Sequence, residues 1–276
     1  MKKLKKMLSV GMMVILFSVS TFSTTASAKT ITGEQLGRAF LSGRYLYYAV
    51  DMVDYSIMRC DTKTGKKVKI IGTKYKGKDT NGFYEICVKG NYIYALWDQN
   101  LGSDACLPYI YRISKDGKKT KKLAMGDNFI IKNNRIYYTK CKKWIDEYGN
   151  VGTKSLGNAS MKLDGSGKKS EKYISMKRNT KVLWQTTEKA VESAYTYYLD
   201  NGSNQYSATR LIRENTKTGK KTVIYKTSGQ QTIGWAEIRG NSVIISVNVP
   251  SGKYKVYYMK MNGKNKILLK SGIAVG

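Results

Sequence analysis

The feature that most constrains the fold is a four-strand pattern that recurs along the chain. Its clearest copy runs from Gly90 to Leu123, follows the short apolar run 84–89, and contains strand-like segments joined by tight turns. The last turn of each copy carries a glycine, and these glycines are separated by 52, 50, 52 and 44 residues: Gly65, Gly117, Gly167, Gly219 and Gly263. A repeat of this length is typical of the blades of a propeller.

The segments are rich in Tyr, Ile, Val and Leu, and no helical period is sustained. A single four-stranded sheet cannot bury both faces, so the copies must stack, and ring closure removes the exposed ends. We therefore predict an all-β fold, a β-propeller of four-stranded antiparallel blades, five in number, at residues 38–73, 82–124, 128–175, 181–227 and 233–270. A six-bladed ring, with 29–37 paired to 271–276, and another stacked all-β arrangement remain alternatives.

Residues 1–28 predict a signal peptide. Basic residues 2–6 precede an apolar run at 7–22, and Ala26-Ser27-Ala28 supplies a small-x-small cleavage pattern. We expect a secreted or cell-wall-associated monomer whose residues 29–276 form one domain, without stable membrane insertion after cleavage. An uncleaved anchor is the alternative.

The chain is strongly basic. The formal charge is +30, and the four lysines of the leader leave +26 on residues 29–276. Such an excess attracts polyanions, which outside a cell include teichoic acids, acidic polysaccharides, anionic membranes and released nucleic acid. A basic charge also suits a protein that only crosses an anionic wall, so charge alone does not define a ligand.

Lysines cluster at the recurring glycine turns, and the repeat places these turns at the outer edge of one face. We predict a basic rim formed by Lys66, Lys67, Lys118, Lys119, Lys168, Lys169, Lys220, Lys221 and Lys264. The rim would attract phosphates or carboxylates in a salt-dependent way. Lysines on outermost strands also prevent sheets from pairing edge to edge, and the two roles are compatible.

Aromatic residues suggest a second surface. Trp97, Trp144 and Tyr148 fall in corresponding loops of neighbouring copies beside polar residues, an arrangement that favours stacking against sugar rings. The alternative is that each Trp fills a core between blades. Trp184 and Trp235 open first strands, and we expect both in the core.

The four cysteines fit an oxidising destination. The repeat brings Cys106 near Cys141 and Cys60 near Cys87, so we predict these two disulfides, with free thiols as the alternative. The spacings match no zinc pattern and the chain contains no His, so we expect no metal or cofactor.

The sequence contains few of the residues that an enzyme would need. Without His, Ser-His and Cys-His triads are impossible. A glycosidase on a propeller would need converging carboxylates, and predicted inner strands supply Glu85, Glu188 and Glu237. We expect a non-enzymatic protein that binds an extracellular anionic polymer, a glycan or a protein partner. A carbohydrate-active enzyme and a scaffold for other exported proteins are the alternatives.

The repeated pattern G-x-x-[IL]-Y-Y, followed by [IL]-x-R-x-x-x-x-G-K-K, resembles TolB-like or YWTD-like propeller domains of secreted Gram-positive proteins. It is most similar to the type called domain of unknown function 5050. The likeness is carried by the turn Gly-Lys pairs and by Gly43, Tyr47, Tyr48, Gly90, Ile93, Tyr94, Ile136, Tyr137, Tyr138, Tyr197 and Tyr198. The resemblance implies a binding role at the cell surface or outside the cell, and no catalytic residues.

Overall fold

A computed structural model describes residues 29–33, 39–49, 56–72, 82–100, 106–172, 174–178, 181–204, 207–239 and 241–273. The predicted signal peptide lies outside these residues. The regular elements of the described ranges are all strands. None of the described residues forms a helix long and apolar enough to cross a membrane.

Strands β1 to β12 are Lys29–Gly33, Ala39–Ser42, Tyr45–Ala49, Ile57–Asp61, Lys67–Ile71, Gly82–Lys89, Tyr92–Asn100, Cys106–Ser114, Thr120–Lys132, Arg135–Ile145, Val151–Lys162 and Lys169–Glu171. Strands β13 to β22 are Ile174–Arg178, Val182–Leu183, Lys189–Glu192, Tyr195–Asp200, Arg210–Asn215, Lys221–Lys226, Thr232–Arg239, Ser242–Val249, Lys253–Lys260 and Ile267–Ile273.

Within the described ranges, these strands form four-strand antiparallel meanders, which we number units one to five: β2–β5, β6–β9, β9–β12, β15–β18 and β19–β22. Strand β9 serves twice, because its first half pairs with β8 up to Met125 and its second half pairs with β10 from Gly126 onward. Units two and three therefore form one continuous seven-stranded sheet, where the sequence predicted separate blades.

The units pack face to face, and unit one shows how. Leu46 and Tyr48 lie in a buried cluster with Ile244 and Leu269 of unit five. Tyr47, which points to the opposite face of the same strand, lies in a cluster with Phe83 of unit two. The first unit therefore packs between the second and the last, as neighbouring blades of a propeller do. The chain thus folds as an all-β propeller of four-stranded antiparallel sheets, as predicted.

The boundary between units three and four departs from the prediction. The outer strand of unit three is the short β12, and Ile174–Arg178 leaves the sheet to pair in parallel with Lys29–Gly33, which lies outside the five predicted blades. Ile174 packs against Ile130 of unit three. This two-stranded sheet belongs to none of the four-strand units, so the number of blades stays a prediction.

The first strand of unit four also differs from the prediction. The segment from Val182 was expected to open this unit, but Val182 and Leu183 pair with Glu237 and Ala236 and so extend unit five at its inner edge. Unit four begins instead with Lys189–Glu192. Leu183 is buried in the cluster shared by units four and five, which explains why it joins the neighbouring sheet.

Candidate functional site

The turns that carry the lysines share one local structure. An Asp or Asn at the end of the third strand accepts a hydrogen bond from the backbone N–H two residues later, for example Asp61 from Lys63 at 3.0 Å and Asp116 from Lys118 at 3.0 Å. The glycine that follows has a positive φ, 74° at Gly65. This geometry suits glycine because L residues rarely adopt it.

The turns expose every lysine of the predicted rim: Lys66, Lys67, Lys118, Lys119, Lys168, Lys169, Lys220, Lys221 and Lys264. Two of these lysines donate hydrogen bonds to a neighbouring unit. The ammonium of Lys67 donates to the carbonyl of Leu269 at 3.1 Å, and that of Lys168 donates to the carbonyl of Leu123 at 2.8 Å. Both contacts join neighbouring units, so at least these two lysines have a structural role.

The turn carboxylates are held in their charged form. Burial would raise the pKa of Asp61, but the backbone N–H of Lys63 and the guanidinium of Arg44 together lower it below its ordinary value. Hydrogen bonds from Ser114 and Lys118 lower the pKa of Asp116, and those from Ser166 lower the pKa of Asp164. At neutral pH each of these turns therefore holds a negatively charged carboxylate next to its lysines.

Trp97 does not belong to a binding surface, and its predicted role in sugar stacking is wrong. Its side chain is buried with Phe83, Tyr109 and Tyr111, and its ring lies 5.2 Å from that of Tyr111 in an edge-on arrangement. This cluster fills the space between units one and two. The alternative interpretation, a core between blades, is the one that the structure supports.

Trp144 and Tyr148 lie instead on a protruding ribbon. Strands β10 and β11 continue past the ends of their neighbours, and exposed residues dominate both faces from 140 to 157. We call residues 140–157 the arm. Trp144 is 48% exposed and Tyr148 82% exposed, so both rings are open to contact.

The pairing register of the arm places two lysines opposite each other. Lys142 lies directly opposite Lys154, and Trp144 lies opposite Gly152. Because side chains two residues apart share a face, Lys142, Lys154 and Trp144 lie on the same side of the ribbon. The ring of Trp144 rests over Gly152, where an added Cβ would be 3.5 Å away. The arm thus presents one aromatic ring beside two adjacent positive charges.

The tip of the arm is ordered by one carboxylate. Asp146 accepts hydrogen bonds from the backbone N–H of Tyr148 at 3.0 Å and of Asn150 at 2.7 Å, and from the side-chain amide of Asn150 at 2.8 Å. The side-chain amide and the two backbone groups lower the pKa of Asp146. Asp146 therefore fixes the turn that carries Tyr148.

Neither predicted disulfide is formed, because Cys60 and Cys141 are thiols. Cys60 faces the cluster with unit five, whereas Cys87 faces the cluster with unit three. The two point away from each other across neighbouring units. The Sγ of Cys141 donates to the carbonyl of Thr139 at 3.6 Å. The side chain of Cys106 lies outside the described residues.

The three glutamates of the enzyme alternative occupy unlike positions. Glu85 and Glu237 lie on the first strands of units two and five, and Glu237 is buried. Glu188 precedes the first strand of unit four, and its carboxylate accepts from the backbone N–H groups of Trp184 and Gln185. The prediction that Glu188 sits on an inner strand is therefore wrong.

Trp184 also differs from its prediction as a core residue. It is 50% exposed, and its ring lies 6.0 Å from that of Trp235. No local signal indicated this exposure, because Trp184 directly follows the apolar pair Val182 and Leu183. Among the described residues, no cluster of three or more Cys, Asp or Glu could hold a metal ion.

No protein-family model and no curated protein sequence matches this chain. Solved structures do, among them TolB from Acinetobacter baumannii, with 12% identity, 89% of this chain and 55% of that chain covered, and a TM-score of 0.30. The putative TolB from Agrobacterium tumefaciens has 12% identity, coverage of 87% and 82%, and a TM-score of 0.31.

A variant of the AtxE2 isopeptidase with Astexin3-dC4 bound has 13% identity and a TM-score of 0.41, with 89% of this chain and 45% of that chain covered. This chain spans only 26% of the tricorn protease chain, which it also matches. The chain is similar to these proteins in fold class alone.

Proposed function

We propose that this protein is a secreted, non-enzymatic β-propeller that binds an extracellular anionic polymer, and that the arm makes the principal contact. We further propose that it belongs to the TolB-like propellers of the type called domain of unknown function 5050. The observation that carries the binding proposal is the pair Lys142 and Lys154 beside Trp144 on one face of the arm.

Two like charges placed directly opposite each other in an antiparallel ribbon destabilise it. The arm extends beyond the packed part of the sheet and both lysines are exposed, so the pair adds nothing to the described core. An anion bound between the two ammonium groups would relieve the repulsion. An aromatic ring beside them would cover the apolar face of a sugar ring, so a polymer with sugars and acidic groups fits both features.

The rest of the surface favours the same class of partner. Lys140 and Lys143 are also exposed on the arm, and the turn lysines add a second basic region. The formal charge of +26 on residues 29–276 attracts polyanions at long range. The arm is the site that we expect to hold the polymer, and the remaining charge raises the rate of encounter.

A retention experiment tests the proposal. Protein beginning at residue 29 is passed over immobilised polyphosphodiester wall polymer, over a uronic-acid polysaccharide and over a neutral glucan, at low and high salt. We expect retention on one or both anionic polymers, weak retention on the glucan, and loss of binding at high salt, because salt screens exposed charges.

Two pairs of substitutions with the same change in charge locate the site. Lys142→Gln with Lys154→Gln should weaken retention by roughly tenfold or more, since an ion pair at 4 Å contributes about 1 kcal/mol even in water. Lys118→Gln with Lys119→Gln, on an exposed turn, is the control and should have a smaller effect. Equal losses from both pairs would refute the arm as principal site. Retention that salt leaves unchanged would instead favour a protein partner bound without the lysines.

A further inference from the structure

A groove with a volume of about 500 Å³ lies where units one, four and five meet. Its walls come from the turn between β2 and β3, from β17, and from the two hairpin ends of unit five. It is separate from the arm, which belongs to unit three. A volume of this size is in the range that holds small organic ligands.

The groove lies beside a position where unit five breaks the repeat. The first residue of the second strand is a tyrosine in units one, two and four, and each pairs with the last residue of the preceding strand: Tyr45, Tyr92 and Tyr195. Ser242 holds this position in unit five. Since Ser242 lines the groove, the missing phenol ring helps to leave the space.

The polar lining is positive. Arg213 and Lys260 carry charge, Asn241, Asn262, Thr62 and Ser242 carry neutral polar groups, and none of the described lining residues is acidic. The remaining lining side chains include Leu41 and Met261, which supply an apolar wall. Such a lining suits a ligand with one anionic group, several hydroxyls and an apolar face.

Arg213 is held in place. Its guanidinium lies over the ring of Tyr195, 4.6 Å from the centroid. Its Nε is buried and makes no hydrogen bond within the described part of the chain, so the donors of this side chain are not all satisfied. An arginine fixed in this way is suited to a carboxylate or phosphate, because its planar donors match the oxygens of both groups.

We propose that this groove is a second binding site, which takes a single sugar residue carrying a carboxylate or a phosphate group. The anion is held by Arg213 and Lys260, and the sugar hydroxyls are held by Asn241 and Asn262. This site does not depend on the arm, and its ligand can be a free sugar or one residue of a polymer.

Calorimetric titration with small probes tests the site: glucuronate, glucose 6-phosphate, glucose and inorganic phosphate. We expect glucuronate or glucose 6-phosphate to bind, which distinguishes carboxylate from phosphate as the anion. Glucose and inorganic phosphate should each bind at least tenfold more weakly. The proposal is overturned if neither anionic sugar binds, if glucose binds as tightly, or if inorganic phosphate alone accounts for the affinity.

Two substitutions in the groove, with two controls outside it, tie the binding to the groove. Lys260 is exposed, so Lys260→Gln should weaken binding without affecting folding, and Ser242→Tyr should block the groove with the residue that units one, two and four carry. The control Lys253→Gln changes an exposed lysine at the opposite end of the same strand and should have no effect. Unchanged affinity in both Lys260→Gln and Ser242→Tyr would overturn the assignment. Trp144→Ala should leave this binding intact, so failure of the arm proposal can be told apart from failure of this one.

Discussion

The carbonyl oxygen of Ile70 lies directly against Gly117, since a Cβ atom added to Gly117 would be only 2.0 Å from that oxygen. Ile70 belongs to the outer strand of unit one and Gly117 to the last turn of unit two. The same contact recurs between Gly263 of unit five and the carbonyl of Ile224 in unit four, at 2.9 Å. The last turn of one unit thus rests on the outer strand of the unit before it.

This contact predicts that Gly117→Ala destabilises the protein more than Gly219→Ala. Both glycines have a positive φ, 76° and 67°, so each alanine should lose roughly 1–2 kcal/mol from backbone strain. Of these two, Gly117 faces another backbone, whereas no atom of the described residues lies within 4 Å of a Cβ added to Gly219. The overlap should remove about 1–3 kcal/mol more. Urea unfolding measures the stability of both variants. Equal losses in the free energy of unfolding would show that the turn of unit two does not pack against unit one.

The pKa shifts of the turn carboxylates predict a loss of stability in acid. The pKa of Asp61 is lowered in the folded protein, as are those of Asp116 and Asp164. A carboxyl with a lowered pKa stabilises the fold above its unfolded pKa of about 3.9, and this contribution is lost as the pH falls through the folded pKa. The free energy of unfolding should therefore fall below about pH 4.

Asp61→Asn provides the control for this pH dependence. The amide keeps the shape of the side chain but cannot titrate, and it loses the ion pair with Arg44. The variant should be less stable than the wild type at neutral pH and should lose less stability on acidification. A fall in stability with acid that is the same in both proteins would assign the pH dependence to other groups.

Much of the fold follows from local sequence. The spacing of Gly65, Gly117 and the later turn glycines predicted the meanders, because each turn needs a positive φ and the lysines follow it directly. The exposure of these lysines was predicted from the same turns. The pairing of Lys29–Gly33 with Ile174–Arg178 had no such signal, since it joins segments far apart in sequence and involves no turn between them.

The candidate site was only partly predictable, as the tryptophans illustrate. Trp97 and Trp144 were both predicted to lie in exposed loops, yet one is buried and the other exposed. The difference arises from strand length, because β10 and β11 extend beyond the sheet and carry Trp144 away from the packed units of the described residues. The groove beside Ser242 depends on contacts among three units, which no single repeat reveals.

The cysteines provide a prediction about reactivity. Cys60 is fully buried and Cys141 partly exposed, and burial raises the pKa of both thiols. Since the thiolate is the reactive form, both should react with a maleimide more slowly than an exposed cysteine at neutral pH, with Cys141 ahead of Cys60. Peptide mapping of unreduced protein after timed labelling measures the order. Either cysteine recovered in a disulfide would contradict the structure.

The two tryptophans should also separate stability from binding. Trp97→Ala empties a buried aromatic cluster and should lower the free energy of unfolding by about 3–5 kcal/mol. Trp144→Ala removes a half-exposed ring at the arm and should change it by no more than about 0.5 kcal/mol. Thermal and urea unfolding of both variants test this contrast. If Trp144→Ala were as destabilising as Trp97→Ala, the ring of Trp144 would have to be packed in the fold. The ring would then not be available to contact a ligand.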